Sequence, residues 1–124
     1  MAVKAAKTGY VDGFILSFPK KNLDTYKKLA KVAAKVWTEH GALAYVEAIG
    51  DDLEPGFGLP FAKMVKPKKG EIIVFSYITY KSRAHRDAVN KKVMNDKRID
   101  CSGIKMPFDV KRMAFGGFKT ILSK

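Results

Sequence analysis

Apolar and polar positions divide the chain into alternating strand-like and helix-like stretches. Gly9 to Phe18 carries apolar residues on both alternating faces and ends at Pro19, which lacks a donor N–H and suits a strand end. From Asn22 to about His40 the period changes. Tyr26, Leu29, Ala30, Ala33, Val36, Trp37 and His40 recur at three-four spacing, which predicts a helix with one buried face. Lys27, Lys28, Lys31 and Lys35 fall on its other side, Asn22 is a suitable N-cap, and Gly41 is the expected stop. Ala42 to Gly50 predicts a second strand. Asp51 to Gly70, rich in proline and glycine, predicts a long loop or contact arm.

Glu71 to Tyr80 is dense in β-branched and aromatic residues and predicts a third strand. Ser82 then caps a helix over roughly Arg83 to Asn95, with His85, Ala88, Val89 and Val93 expected inward and Arg83 expected to pair with Asp87. A loop over Asp96 to Asp109 leads into a last strand, Lys111 to Leu122. The Gly116-Gly117 pair within it suggests a bulge, a bend or a close approach of another backbone. The order β-α-β-β-α-β predicts an α+β fold, a ferredoxin-like sandwich, with residues 1–8 as a basic leader and 9–124 as one domain.

Two helices cover only one face of a four-stranded sheet, yet the predicted strands are apolar on both. The uncovered face would be a larger apolar patch than soluble monomers tolerate, so a homodimer joined sheet to sheet is expected. The 47% hydrophobic content and 11% aromatic content support a packed core and exclude a disordered tail. No apolar run approaches a membrane span, and the first residues do not read as a signal peptide, so a soluble cytoplasmic protein without membrane association is expected.

Charge alters this picture little. Lys and Arg total 24 against 12 Asp and Glu, a net +12, which raises a nucleic-acid partner as an alternative. Twenty of those cations are Lys, the solubilising choice, whereas Arg is favoured for bidentate phosphate recognition. No RNA-binding signature, helix-turn-helix pattern or zinc finger accompanies them. Cys101 stands alone, so no internal disulfide forms, and its polar surroundings give it no evident base. No phosphate-binding, dinucleotide-binding, metalloprotease or nucleophile-elbow motif is present, so no cofactor and no metal are assigned. Asp51, Asp52 and Glu54, with Glu47, lack the spacing of a calcium loop and read as solvated acids.

Longer motifs are more specific. Tyr10-Val-Asp-Gly-Phe14, Val36-Trp-x-Glu-His-Gly-Ala-Leu-x-Tyr45, Gly50-Asp-Asp52, Tyr80-Lys-Ser-Arg-Ala-His-Arg-Asp87, Met106-Pro-Phe-Asp109 and Gly116-Gly-Phe118 together span nearly the whole chain after the leader. In these the chain resembles the YbaA-like bacterial family of unknown function. The resemblance implies membership of the dimeric α+β barrel superfamily, two ferredoxin-like copies closing a barrel, and with it a small-molecule pocket between sheet and helices. That last implication is one of fold, and fold alone does not fix function.

On that expectation the candidate catalytic residues are His40, Glu47 and His85, and the candidate ligand-binding residues are Trp37, Tyr45 and Arg86. His40, at a helix C-terminus where a charged imidazole is favoured, is either an acid/base in the pocket or a cap on the last carbonyls. His85, between Arg83 and Arg86 at a helix start, would hold an anionic ligand or belong to a structural network. Asp12, a carboxylate inside an apolar strand, requires a partner, and Arg112 on the last strand is the expected one. Asp109, with Lys111 and Arg112, is expected to tie down the Met-Pro-Phe-Asp turn. The alternatives to a small-molecule site are RNA binding through Lys-rich faces and an interaction dimer without chemistry.

Overall fold

The computed structural model describes residues 7–100 and 105–124. Residues 1–6 of the expected leader, and Cys101, lie outside the described residues. Four strands form one antiparallel sheet in the order β2-β3-β1-β4: β1 is Tyr10–Pro19, β2 Ala44–Ile49, β3 Glu71–Tyr80 and β4 Ala114–Lys119. Central β1 pairs with β3 from Tyr10↔Tyr80 to Pro19↔Glu71, and with β4 from Tyr10↔Lys119 to Ile15↔Ala114. Helix α1, Leu23–Glu39, links β1 to β2 across β3, and helix α3, Arg83–Met94, links β3 to β4 across β1. The arm between β2 and β3 carries a short helix α2, Phe61–Val65, and leaves Phe57 81% exposed.

Both long helices pack on one face of the sheet. At one end Val36 from α1 and Val89 and Val93 from α3 meet Tyr10, Ile78 and Tyr80. At the other, Tyr26 stacks on Phe18 at 4.7 Å beside Leu16 and Val74. Phe14 touches both clusters.

Local chemistry differs from expectation in several places. Asn22 makes no capping bond; its Nδ2 donates to the Pro107 carbonyl at 2.9 Å, and a 3-10 turn over Lys20–Asn22 leads into α1 instead. Ser82 does cap α3, accepting from the His85 N–H at 3.1 Å. Gly41 ends α1 with φ +116°, a region that favours glycine. Ala88 is exposed, and Arg86 and Asn90 turn inward in its place. Asp87 pairs with Arg86 at 3.0 Å rather than with Arg83. The last strand starts later than expected because Asp109 accepts from the Lys111 N–H at 3.0 Å and closes a 3-10 turn over Val110–Arg112. Gly116 and Gly117 pair regularly with Gly13 and Asp12, so neither bulge nor bend occurs there. The Tyr10 phenol fills the space a Gly117 side chain would need, a close approach of a side chain rather than of backbone.

The opposite face of the sheet carries neither α1 nor α3, and the short α2 of the arm touches β1. Val11, Ile15, Phe75, Tyr77 and Phe118 border an open apolar hollow of about 620 Å³, with Phe75 45% and Phe118 63% exposed.

Candidate functional site

The apolar stripe of α1 is only partly buried because a cavity of about 460 Å³ lies between it and the sheet. Its walls are aromatic: Phe14 from β1, Tyr26 and Trp37 from α1, Tyr45 from β2, and Phe108 from the segment before β4. Trp37 and Tyr45 form a corner, ring centres 6.3 Å apart and planes inclined by 49°, and Phe108 meets Tyr26 edge-on at 5.9 Å.

Two acids line this apolar space, the exposed Asp100 after α3 and the half-buried Glu47 of β2. Tyr45 and Glu47 are two residues apart on β2 and so share a face, turned toward α1. The Tyr45 hydroxyl donates to Glu47 Oε2 at 2.8 Å, and the Tyr26 hydroxyl donates from α1 to Oε1 at 2.6 Å. Ser76, opposite Glu47 on β3, closes the floor. Burial, reinforced by the bond to Glu47 and its charge, pushes both phenols well above their ordinary range. They therefore remain protonated and donate. A second groove of about 370 Å³ lies beyond Tyr26 and Glu47, bordered by Lys27 and Lys31.

At the mouth, Arg98 has its charge committed to Glu39 Oε2 and Asp96 Oδ2, both at 2.7 Å. Asp96 also receives His40 Nε2 at 2.9 Å. Arg98, with help from His40, holds the Asp96 carboxyl well below the usual range. His40 thus joins α1 to the segment after α3 and does not line the cavity.

A separate polar network lies under α3. Asp12 is 4% exposed, and its partner is Arg86 at 3.3 Å. The expected Asp12–Arg112 pair does not form. Ile15 faces Ala114, so the antiparallel register carries Arg112 toward Ser17, away from Asp12, which faces Gly117. Arg112 accordingly donates to Ser17 Oγ at 3.0 Å and to Glu71 at 2.7 and 2.9 Å. Arg86 also donates to the Tyr10 hydroxyl at 3.2 Å and stacks 4.9 Å from that ring. Burial raises the Asp12 carboxyl above its ordinary value despite Arg86 and hydrogen bonds from Tyr80 and Asn90. His85 faces Tyr80 and accepts from the Lys81 N–H through Nδ1 at 2.9 Å. Trp37 connects the two regions: its ring lines the cavity and its indole N–H donates to Asn90 Oδ1 at 3.1 Å.

Of the residues singled out from sequence, Trp37, Tyr45 and Glu47 meet at the cavity, whereas His40, His85 and Arg86 do not line it. Tyr26 and Ser76 were missed. Tyr26 reads in sequence as one more residue on an amphipathic helix face, and only the cross-element contact distinguishes it. Asp51, Asp52 and Glu54 are exposed, and no group of three or more His, Cys, Asp or Glu side chains is gathered among the described residues. No helix among the described residues is long and apolar enough to cross a membrane.

Fold and site together define a small α+β protein with a four-stranded antiparallel sheet, two long helices on one face and an aromatic cavity between α1 and the sheet. The chain belongs to the family described as "Protein of unknown function (DUF1428)", whose model matches residues 9–110. It is 43% identical over 115 residues to the "Uncharacterized protein YbaA" of Escherichia coli (strain K12), covering 93% of this chain and 98% of that one. The protein of the same description in Shigella flexneri matches to the same extent. The resemblance read from the sequence motifs is therefore borne out.

Proposed function

We propose that this chain binds a small, largely apolar molecule in the cavity between α1 and the sheet, with Glu47 as its polar anchor. One observation carries this reading: a half-buried carboxylate on which two phenols converge, at 2.6 and 2.8 Å, inside an aromatic-lined space of about 460 Å³. Binding sites for small molecules have this composition, apolar walls with few placed polar groups. A carboxylate in the cavity disfavours an anionic ligand, and the lysines on the outer side of α1 serve solubility in this reading.

The strand order and the two crossover helices support a ferredoxin-like sandwich. The face opposite α1 and α3, with Phe75 and Phe118 exposed, supports its association with a second copy into a dimeric α+β barrel.

Trp37 is the only tryptophan in the sequence, so its indole N–H gives a single resonance that reports on the cavity. Titration with benzyl alcohol at millimolar concentration is expected to shift that resonance saturably. Ala33→Leu, which fills the cavity without removing a polar group, is expected to abolish the shift while the rest of the spectrum is retained. An indole signal indifferent to benzyl alcohol and to other small aromatic probes would overturn the reading.

A further inference from the structure

We infer that the ligand class of this cavity is an organic cation, a protonated amine on an apolar or aromatic body; this rests on the reading of the cavity as a binding site.

Four carboxylates among the described residues are buried or half-buried: Asp12, Glu47, Glu71 and Asp96. Three of them have a cationic partner. Asp12 has Arg86, Glu71 has Arg112, and Asp96 has Arg98 and His40. Glu47 forms no ion pair with any Lys, Arg or His among the described residues; its oxygens meet only the two phenols. In a chain with 24 Lys and Arg against 12 Asp and Glu, that omission is not for want of cations. Lys27 and Lys31 border the neighbouring groove, yet both are exposed and neither pairs with Glu47. A carboxylate removed from water is unfavourable unless its charge is matched.

A partner for the Glu47 carboxylate has a defined chemistry. Each carboxylate oxygen accepts one phenolic hydrogen and retains a second acceptor direction, and an ammonium N–H is the donor that answers both the hydrogen bond and the charge. The rings of Trp37, Tyr45, Tyr26 and Phe108 surround the same space, and the negative faces of aromatic rings attract cations. Burial keeps both phenols neutral, so they support the Glu47 charge without cancelling it. Arg98 at the mouth is already neutralised by Glu39 and Asp96 and does not repel an entering amine. The net +12 of the chain acts mainly through outer lysines, and salt screens such charges over about 8 Å at physiological ionic strength.

Benzylamine and benzyl alcohol have nearly the same shape and differ at neutral pH by one positive charge. In parallel titrations of the intact protein at pH 7, followed by the Trp37 indole resonance, benzylamine is expected to bind at least about tenfold more tightly, equivalent to about 1.4 kcal/mol. In Glu47→Gln, which preserves shape and removes the charge, this preference is expected to vanish. Tyr45→Phe leaves Glu47 charged, frees one of its acceptor positions, and is expected to keep or increase the preference for the amine. Should Glu47→Gln fail to fold, the comparison in the unmodified protein and in Tyr45→Phe still decides. Equal binding of the two probes, or tighter binding of the alcohol, would overturn the cation assignment and leave the cavity as a binding site. Binding of neither probe would overturn both.

Discussion

The Tyr26 hydroxyl stands 2.6 Å from Glu47 Oε1 and joins α1 to edge strand β2 through a single side-chain bond. The Tyr26 ring is meanwhile stacked on Phe18 of central β1. One residue therefore supports the core at its ring and the polar end of the cavity at its hydroxyl. Stability and site geometry can be separated there by removing one oxygen.

Tyr26→Phe keeps the ring and its packing. It is expected to destabilise the fold by about 1.5–3 kcal/mol, the usual net value of a hydrogen bond to a charged group, measured as a lower urea midpoint with an unchanged m-value. Tyr26→Ala, which also empties the core around Phe18, is expected to lose about 3–5 kcal/mol. Equal losses in the two variants would show that the hydroxyl, not the ring, dominates.

Arg86→Met is expected to destabilise at pH 7 by about 3 kcal/mol, because Asp12 is left buried without its cation. Burial already places the folded-state value of Asp12 above its ordinary 3.8. Its contribution to stability is thus fullest below 3.8 and falls as pH rises through the higher folded value. The loss in Arg86→Met is therefore expected to be smaller at pH 4 than at pH 7. In a double-mutant cycle, Asp12→Asn should couple to Arg86→Met and not to Arg112→Met.

Glu71 has the opposite sign. Hydrogen bonds from Arg112 lower its carboxyl from 4.5 to about 2. Its contribution is fully present above pH 4.5 and is lost as pH falls toward 2. Glu71→Gln is expected to lower Tm at pH 7 by roughly 5–10 °C, corresponding to about 1–2 kcal/mol. It should also flatten the fall of Tm with acid. A variant with the wild-type acid slope would assign that slope to other groups.

If the face opposite α1 and α3 joins two copies, the expected solution mass is twice 13.8 kDa, measured by light scattering at micromolar protein. Phe118→Asp puts a charge on that face, away from both helices, and is expected to give folded monomer. A wild-type protein that is monomeric throughout, or a Phe118→Asp variant that remains dimeric, would contradict association through this surface.

How much of this could be read in advance depends on the range of the interaction. The turn from period 2 to period 3.6 and back located every strand and both long helices, because backbone geometry imposes those periods locally. β3 was read to its ends, Glu71–Tyr80, since its β-branched and aromatic residues need no distant partner to favour extension. β4 was read too long, because a local Asp109 cap turns Val110–Arg112 into a 3-10 turn before the strand begins.

The site was only partly legible. Tyr45 and Glu47 share a strand face by alternation, and Trp37 lies on the inward stripe of α1, so all three were within reach of pattern reading. Tyr26 was not, since nothing in a helix period says which strand carboxylate a phenol will meet. The partner of Asp12 was misassigned for a related reason. Strand register decides it, and in an antiparallel pair each position toward one end of a strand moves the facing residue toward the other end of its neighbour.

The sequence by itself determined the four strands and the two long helices, their order, the two-faced apolar character of the strands and the excess of positive charge, all of which follow from short-range sterics and composition. Tertiary structure alone decided that Glu47 would be the half-buried acid without a cation among the described residues, that Arg86 would serve Asp12 and Arg112 would serve Glu71, and that α1 would stand off the sheet far enough to leave a cavity. Those outcomes depend on which side chains meet across elements distant in sequence, and the pairing of charges in a low-dielectric interior is settled only once that geometry exists.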